Sequence, residues 1–322
     1  MTRPRFRQNR RLRHTDAVAR VAYDEFAYFA DNAAEAGLPY AGPPTVARTS
    51  VEVRPGFRLS ALVWGAPPPS LVFLHGGAQN AHTWDTVALA LDRPLVAIDL
   101  PGHGHSDGGD HSQLSLDDNA ADVAGAVRVL APDADAVIGM SLGGLTTLAL
   151  AGRAPALVRR VVLVDVLPSI VPEKGRMISD FVNGPPTFPD FDAILARTIE
   201  YNPTRTESSL RRGILHNAVQ LDDGSWVWRH ARHRAADVRA PEPSDLSERF
   251  RALWDVVSNL AVPLMLVRGM EAQSVIDDDG EAELVRRRPD ARVEHVVGAG
   301  HSVQGDRPVE LAALIADFVA TS

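Results

Sequence analysis

The sequence predicts an α/β protein in which a mostly parallel central sheet carries helices on both faces. Six short apolar segments, four of them uninterrupted, are typical of strands that are buried on both sides. Segments with helical periodicity separate most of these runs, and this alternation favours parallel pairing through right-handed crossovers. One stretch of about ninety residues lacks a strand pattern and is too long for a plain loop in a compact domain, so it predicts a helical insertion.

The elements follow one another in a regular order. A helix is predicted over 15–37, and a hairpin of strands 46–53 and 57–64 turns at Pro55-Gly56. The six apolar strands are predicted at 71–74, 95–98, 134–138, 161–164, 264–267 and 293–297. The helices between and after them are predicted at 83–91, 116–130, 142–151, 279–288 and 308–319.

These elements divide the chain into three parts. They are an N-terminal helical extension (1–45), an α/β core (46–166 and 260–322) and a helical cap (167–259). The cap is rich in proline, arginine and aromatic residues, and we expect it to cover the carboxyl edge of the sheet. We predict a substrate pocket lined by Phe181, Phe188 and Trp226 of the cap and by Ala78 and Met140 of the core.

Composition excludes several classes of function. The net charge of −8 argues against nucleic-acid binding, which usually requires a basic face. The chain has no cysteine, so it has no disulfide, no thiolate nucleophile and no metal site with thiolate ligands. No apolar run reaches the roughly 18 residues that span a membrane. We therefore expect a cytoplasmic protein that acts on a small molecule without a cofactor, and a homo-oligomer is compatible with these features.

The segment Gly139-Met140-Ser141-Leu142-Gly143-Gly144 carries the strongest chemical signal. It follows a predicted strand and opens a predicted helix, which is the context of a G-x-S-x-G nucleophile elbow. The small neighbours permit a sharp turn that lifts the serine hydroxyl above the sheet edge, and the first amides of the helix point at the reacting oxygen. We predict that Ser141 is a nucleophile and that the Leu142 N–H is an oxyanion donor.

Two more loops follow predicted strands at the same edge. In His75-Gly76-Gly77-Ala78, glycine lets the main chain approach a ligand, so we assign the Gly77 N–H as the second oxyanion donor. We expect His75 to hold this loop by hydrogen bonds. His301 lies on a glycine-flanked loop after the last strand, from which its imidazole can reach the serine. We predict that His301 is the general base.

Together with the turn from Asp99 to Ser106, these segments resemble the α/β-hydrolase family in its capped form. The resemblance covers about residues 46–321 and implies hydrolysis by a serine, a histidine and an acid. His103 and His105 in the turn have no matching carboxylate, so we predict no metal site there.

Two positions compete for the role of the acid. In most of the family the acid follows the penultimate strand, where this sequence has Gln273, with Glu271 and Asp277 to Asp279 nearby. A glutamine cannot stabilise an imidazolium by charge, and the three aspartates are typical of the first turn of a helix. Asp165, at the end of the strand 161–164, is the alternative. We favour Asp165, and an acid of the 271–279 loop remains the alternative.

The expected reaction is the hydrolysis of a bulky, apolar carboxylic ester or lactone, since a large cap encloses its substrate and excludes water. A serine elbow with its acid at Asp165 is similar to the arrangement in zearalenone lactonases, which implies a macrolactone such as zearalenone as substrate. Two alternatives stay open. One is a carbon–carbon bond hydrolase of vinylogous diketones, and the other is a ligand receptor on the same scaffold.

Overall fold

The structure is a computed structural model that describes residues 20–108, 115–169, 180–181, 184–230 and 243–321. In these ranges, eight strands form one sheet in the order β1-β2-β4-β3-β5-β6-β10-β11, and three short strands form a second sheet. The strands are β1 (Val46–Arg54), β2 (Phe57–Trp64), β3 (Leu71–Leu74), β4 (Leu95–Ile98), β5 (Ala136–Met140), β6 (Val161–Val164), β7 (Thr187–Phe188), β8 (Ala218–Gln220), β9 (Trp226–Trp228), β10 (Leu264–Gly269) and β11 (Arg292–Val296). In the large sheet, β2 pairs antiparallel with β1 and with β4, and all other neighbouring strands pair in parallel. This confirms the predicted fold class.

Helices cover both faces of the large sheet. They are α1 (Phe29–Glu35), α2 (Asp85–Leu91), α3 (Leu116–Leu130), α4 (Leu142–Arg153), α5 (Phe191–Tyr201), α6 (Glu207–Asn217), α7 (Pro243–Asn259), α8 (Asp278–Arg287), α9 (Val303–Asp306) and α10 (Pro308–Ala320). Along the described ranges, no helix is both long enough and apolar enough to cross a membrane.

The central strands are buried on both faces, as their continuous apolar sequence requires. Val72 and Leu74 of β3 belong to a core cluster with apolar residues of α3 and α4. Leu71 and Phe73 of the same strand belong to a second cluster, with α1, α2 and α10. The sheet is therefore the middle of three layers, and its carboxyl edge stays free for loops.

The N-terminal helix is shorter than predicted. Helix α1 begins at Phe29 instead of residue 15, and residues 1–19 lie outside the described ranges. Just before it, the Asp24 carboxylate accepts the Phe26 N–H at 3.0 Å, a local bond that competes with helix formation. Beyond the core, Glu35 forms an ion pair with Arg212 of α6. The extension therefore links the core to the cap.

The insertion differs from the prediction at two points. Besides α5 and α6 it contains the antiparallel sheet β7-β9-β8, whose strands of two or three residues are too short to show a periodic pattern. Helix α7 belongs to the core, because Leu253, Trp254 and Val257 are buried in the same cluster as residues of α4. The predicted boundary of the cap at residue 259 is therefore wrong, since α7 already packs on the core.

Candidate active site

Ser141 occupies the turn between β5 and α4 at the carboxyl edge of the sheet. Its φ of 51° and ψ of −119° lie in a region that residues with a side chain rarely adopt. A Cβ on Gly139 would collide with the Gly143 carbonyl, and a Cβ on Gly143 would collide with the Leu74 carbonyl. The glycines therefore permit the close approach of β5, α4 and β3 that holds this strained turn.

Two main-chain amides near Ser141 have no acceptor in the part of the chain that the structure describes. The Gly77 N–H has no acceptor among the described residues, and Gly77 lines the same cavity as Ser141. The Leu142 N–H is the first amide of α4, so it has no acceptor within the helix. In contrast, the Gly76 N–H donates to Gln79 Oε1 at 3.1 Å. The two unpartnered amides are the ones that the sequence assigned to an oxyanion hole.

His75 anchors the loop that carries Gly77. Its Nδ1–H donates to the Gly76 carbonyl at 2.8 Å, and its Nε2 accepts the Leu100 N–H at 2.9 Å. Complete burial, with His103 nearby, lowers the pKa of His75 to about 3, so the ring is neutral at physiological pH. His103 in turn donates from Nδ1 to the Pro101 carbonyl at 2.9 Å. Both rings thus make hydrogen bonds that hold loops in place.

The structure brings His301 and Asp165 together. His301 Nδ1 lies 2.9 Å from Asp165 Oδ2, and Asp165 is fully buried at the end of β6. The Asp165 carboxylate also accepts the Gly269 N–H at 3.0 Å, the Ser274 hydroxyl at 2.6 Å and the Val275 N–H at 3.0 Å. These donors compensate for the burial of the carboxylate and fix its orientation toward the imidazole.

The competing acids have other partners. Glu271 accepts the Gly298 N–H at 3.0 Å, Asp277 caps α8 by accepting the Gly280 N–H at 2.8 Å, and Asp278 pairs with Arg268 at 2.9 Å. The loop after β10 therefore does not present these three carboxylates to His301. It supplies donors to Asp165 instead.

Two residues that support this arrangement were not predicted. Ser274 donates to Asp165, and Asp306 accepts the Gly300 N–H at 2.8 Å, which fixes the loop of His301. Burial raises the pKa of the Asp306 carboxyl, although hydrogen bonds and nearby arginines oppose this shift. No sequence pattern marks either residue, because each acts through a contact that only the fold creates.

A cavity of about 110 Å³ lies over Ser141 and His301. Its wall combines apolar and polar side chains, namely Met140, Phe181, Tyr201, Ala272, Gln79, Asn202, Thr204, Gln273, Ser302 and Asp306. An adjoining cavity of about 130 Å³ shares Gln79, Phe181, Asn202 and Ser302 with it. A substrate at Ser141 can therefore extend in two directions.

The predicted pocket residues have different locations. Met140 and Phe181 line the cavity at Ser141, and Ala78 lines the adjoining one. Phe188 and Trp226 line neither of these cavities, so their predicted placement is wrong. Both are buried in the core of the cap, where they pack with residues of α5 and α6. Aromatic residues of an insertion can fill its own core or a substrate pocket, and sequence does not distinguish the two.

Comparison with known proteins gives a consistent result. The sequence profile of the alpha/beta hydrolase family matches residues 71–314. The esterase Rv0045c of Mycobacterium tuberculosis is 43% identical over 306 residues, which cover 92% of this chain and 96% of that protein. The 2-(acetamidomethylene)succinate hydrolase of Mesorhizobium japonicum is 29% identical over 254 residues, covering 78% of this chain and 88% of that one.

Solved structures show the same similarity. A structure of the M. tuberculosis esterase Rv0045c, reported with transition metal inhibition of that enzyme, has a TM-score of 0.79 at 42% identity. The match covers 94% of this chain and 100% of the other. A structure of an E-2-(acetamidomethylene)succinate hydrolase has a TM-score of 0.72 at 25% identity, and covers 85% of this chain and 99% of that one.

Proposed function

Because the chain belongs to the alpha/beta hydrolase family, we propose that it is a serine esterase in which Ser141 forms an acyl-enzyme. One observation carries the proposal, namely that His301, whose Nδ1 lies 2.9 Å from Asp165, lines the same cavity as Ser141. An imidazole oriented in this way exposes Nε2 as a base for a serine hydroxyl. The similarity to a protein named an esterase, over 92% of the chain, supports the ester as the bond that is cleaved.

In the first half of the reaction, Ser141 Oγ attacks the ester carbonyl carbon while His301 Nε2 takes the hydroxyl proton. The carbonyl oxygen becomes an oxyanion, which the N–H groups of Gly77 and Leu142 stabilise. When the tetrahedral intermediate collapses, the ester C–O bond breaks and the imidazolium returns its proton to the leaving alkoxide. The Asp165 carboxylate stabilises the imidazolium through its contact with His301 Nδ1.

In the second half, a water molecule replaces the alcohol. His301 Nε2 takes a proton from this water, whose oxygen attacks the acyl carbon of the acyl-enzyme. The same two amides hold the second oxyanion. Collapse releases the carboxylic acid and returns the proton to Ser141 Oγ, so the enzyme is regenerated and one water molecule is consumed for each ester.

For the substrate, we propose an ester with an apolar acyl chain. The support is the apolar part of the cavity wall, because Met140 of the elbow and Phe181 and Tyr201 of the cap segment line the same cavity as Ser141. Apolar contacts of this kind stabilise a bound acyl chain by roughly 25 cal/mol per Å² that is removed from water. The adjoining cavity offers a second compartment for the other part of a bulky ester.

A variant of Tyr201 tests this assignment. Tyr201→Ala is expected to raise KM for p-nitrophenyl octanoate by about tenfold, since loss of one aromatic contact costs about 1.4 kcal/mol of binding, while kcat changes little. Steady-state kinetics with esters from acetate to octanoate would show the effect growing with chain length. Ile199→Ala is the matched control, because Ile199 lies on the same helix and is 39% exposed. Equal effects of both variants would contradict the acyl assignment.

A macrolactone is the narrower proposal. It rests on the location of the acid at Asp165, after β6, which is the feature shared with zearalenone lactonases. The chemistry is unchanged, except that the leaving alcohol stays tethered to the acyl group. Ring opening of zearalenone, measured beside hydrolysis of p-nitrophenyl octanoate, tests it. Hydrolysis of the octanoate alone would remove the lactone proposal and leave the esterase.

A further inference from the structure

A second cluster of chemically capable side chains lies at the junction of core, cap and N-terminal extension. His82 belongs to the short 3₁₀ turn Ala81–Trp84, and Asp85 begins α2. His216 comes from α6 of the cap. All three side chains are at least 95% buried, and the proposed ester hydrolysis uses none of them.

The donor atoms of these residues lie close together, and the rings of His82 and His216 stack with their centroids 3.9 Å apart. His82 Nδ1 lies 2.8 Å from Asp85 Oδ2, and His216 Nε2 lies 4.0 Å from the same oxygen. One nitrogen of each histidine and one oxygen of the aspartate all lie within 4.8 Å of one another. Two imidazoles and a carboxylate are a donor set that binds divalent transition metals such as Zn²⁺.

Two atoms of the cluster have no hydrogen bond within the described ranges. Asp85 Oδ1 and His216 Nε2 are buried without a hydrogen bond in the described part of the molecule. Buried polar atoms are nearly always satisfied, because leaving one unpaired costs free energy. An aspartate oxygen and an imidazole nitrogen left open in one cluster therefore point to a missing ligand that accepts electron pairs.

The remaining nitrogen of each histidine faces a residue of the N-terminal extension. His216 Nδ1 lies 2.9 Å from the Tyr23 hydroxyl. His82 Nε2 lies 3.2 Å from Glu25 Oε2, a carboxylate oxygen that can accept the Nε2–H. Partners of this kind orient metal-binding imidazoles and direct their free electron pairs toward the ion. Tyr23 and Glu25 fit such outer positions.

We propose that His82 Nδ1, the Asp85 carboxylate and His216 Nε2 bind one divalent transition metal ion. The ion would take the place of the proton that His82 Nδ1 now shares with Asp85. Arg48 already pairs with Glu25 and Asp99, so the charge of Asp85 remains available for the cation.

The location of the cluster gives an ion access from a cavity and lets a bound ion join the cap to the core. His82 and His216 both line the cavity that adjoins the one over Ser141, so an ion and a water ligand can reach them from there. Two ligands come from the core and one from the cap. A bound ion therefore fastens α6 to α2, and it stabilises the folded chain against heat because it binds only the folded arrangement.

Titration of the chelator-treated full chain with Co²⁺ tests the proposal. We expect one Co²⁺ per chain with visible absorption bands, displacement of Co²⁺ by Zn²⁺, and a higher Tm in the presence of either ion. His216→Gln and Asp85→Asn should abolish the bands. Tyr23→Phe, which keeps the ring and all three ligands, should weaken binding by about 10- to 100-fold. His295→Gln is the control, since His295 is a surface histidine paired with Glu281.

The outcomes separate this site from the catalytic histidine. His301→Gln should leave Co²⁺ binding intact. The proposal is overturned if wild type binds no Co²⁺ at millimolar concentration, or if Tyr23→Phe and Asp85→Asn bind as wild type does. It is also overturned if His301→Gln alone removes the bands. Circular dichroism of each variant shows whether it is folded. If His216→Gln does not fold, Tyr23→Phe still tests the proposal, because it keeps all three ligands.

Discussion

Ser141→Ala is expected to lower kcat/KM for an activated ester by about 10³- to 10⁶-fold, because the members of a catalytic triad act as a unit. Without the hydroxyl no acyl-enzyme forms, and the oxyanion donors alone give little acceleration. The alanine methyl fits where the serine side chain lies, so Tm should change little. Initial rates with p-nitrophenyl butyrate, together with thermal unfolding, measure both quantities.

A second serine in the same cavity provides the control. Ser302 lines the cavity beside His301, and Ser302→Ala is expected to retain activity within about tenfold of wild type. A large loss in Ser302→Ala with none in Ser141→Ala would show that the elbow serine is not the nucleophile.

Asp165→Asn is expected to lower kcat by about 10⁴-fold, as the same change of the triad aspartate does in serine proteases. An amide cannot stabilise the imidazolium by charge. The Asp165 carboxylate now accepts hydrogen bonds from the Gly269 N–H, the Ser274 hydroxyl and the Val275 N–H. The NH₂ group of the asparagine would face one of these donors and could not accept its hydrogen bond. The imidazole would then lose its orientation, and some loss of Tm should accompany the loss of rate.

Glu271→Gln and Asp277→Asn are the matched controls for this prediction. They make the same chemical change at carboxylates that bind Gly298 and the first turn of α8. Each should keep kcat within about tenfold of wild type, since neither side chain faces the imidazole. The reverse ranking of the three variants would place the acid in the loop after β10.

The core of the fold could be predicted because its signals are local. Strands buried on both faces require uninterrupted apolar runs, and β3, β4 and β6 have the bounds that these runs predict. The elbow could be recognised for a similar reason. Its glycines are required because main-chain atoms lie too close for a Cβ, and the same contacts recur wherever a serine is held in this turn.

Features that depend on long-range contacts could not be predicted. Ser274 and Asp306 support the proposed site through single hydrogen bonds to distant segments. The short strands of the cap have no periodicity, and the burial of Phe188 and Trp226 depends on how the cap packs on itself. Likewise, His82 and His216 lie far apart in sequence, so no spacing motif joins them.

The most direct test of the central claim is the site of covalent labelling by diethyl p-nitrophenyl phosphate, located by mass spectrometry. The proposed mechanism predicts one diethylphosphoryl group per chain, attached to Ser141, with activity lost in proportion to labelling. His301→Gln should be labelled far more slowly, because the serine then lacks its base. Labelling at another residue, or full labelling of Ser141 with activity retained, would contradict the proposal that this chain hydrolyses esters through an acyl-enzyme on Ser141.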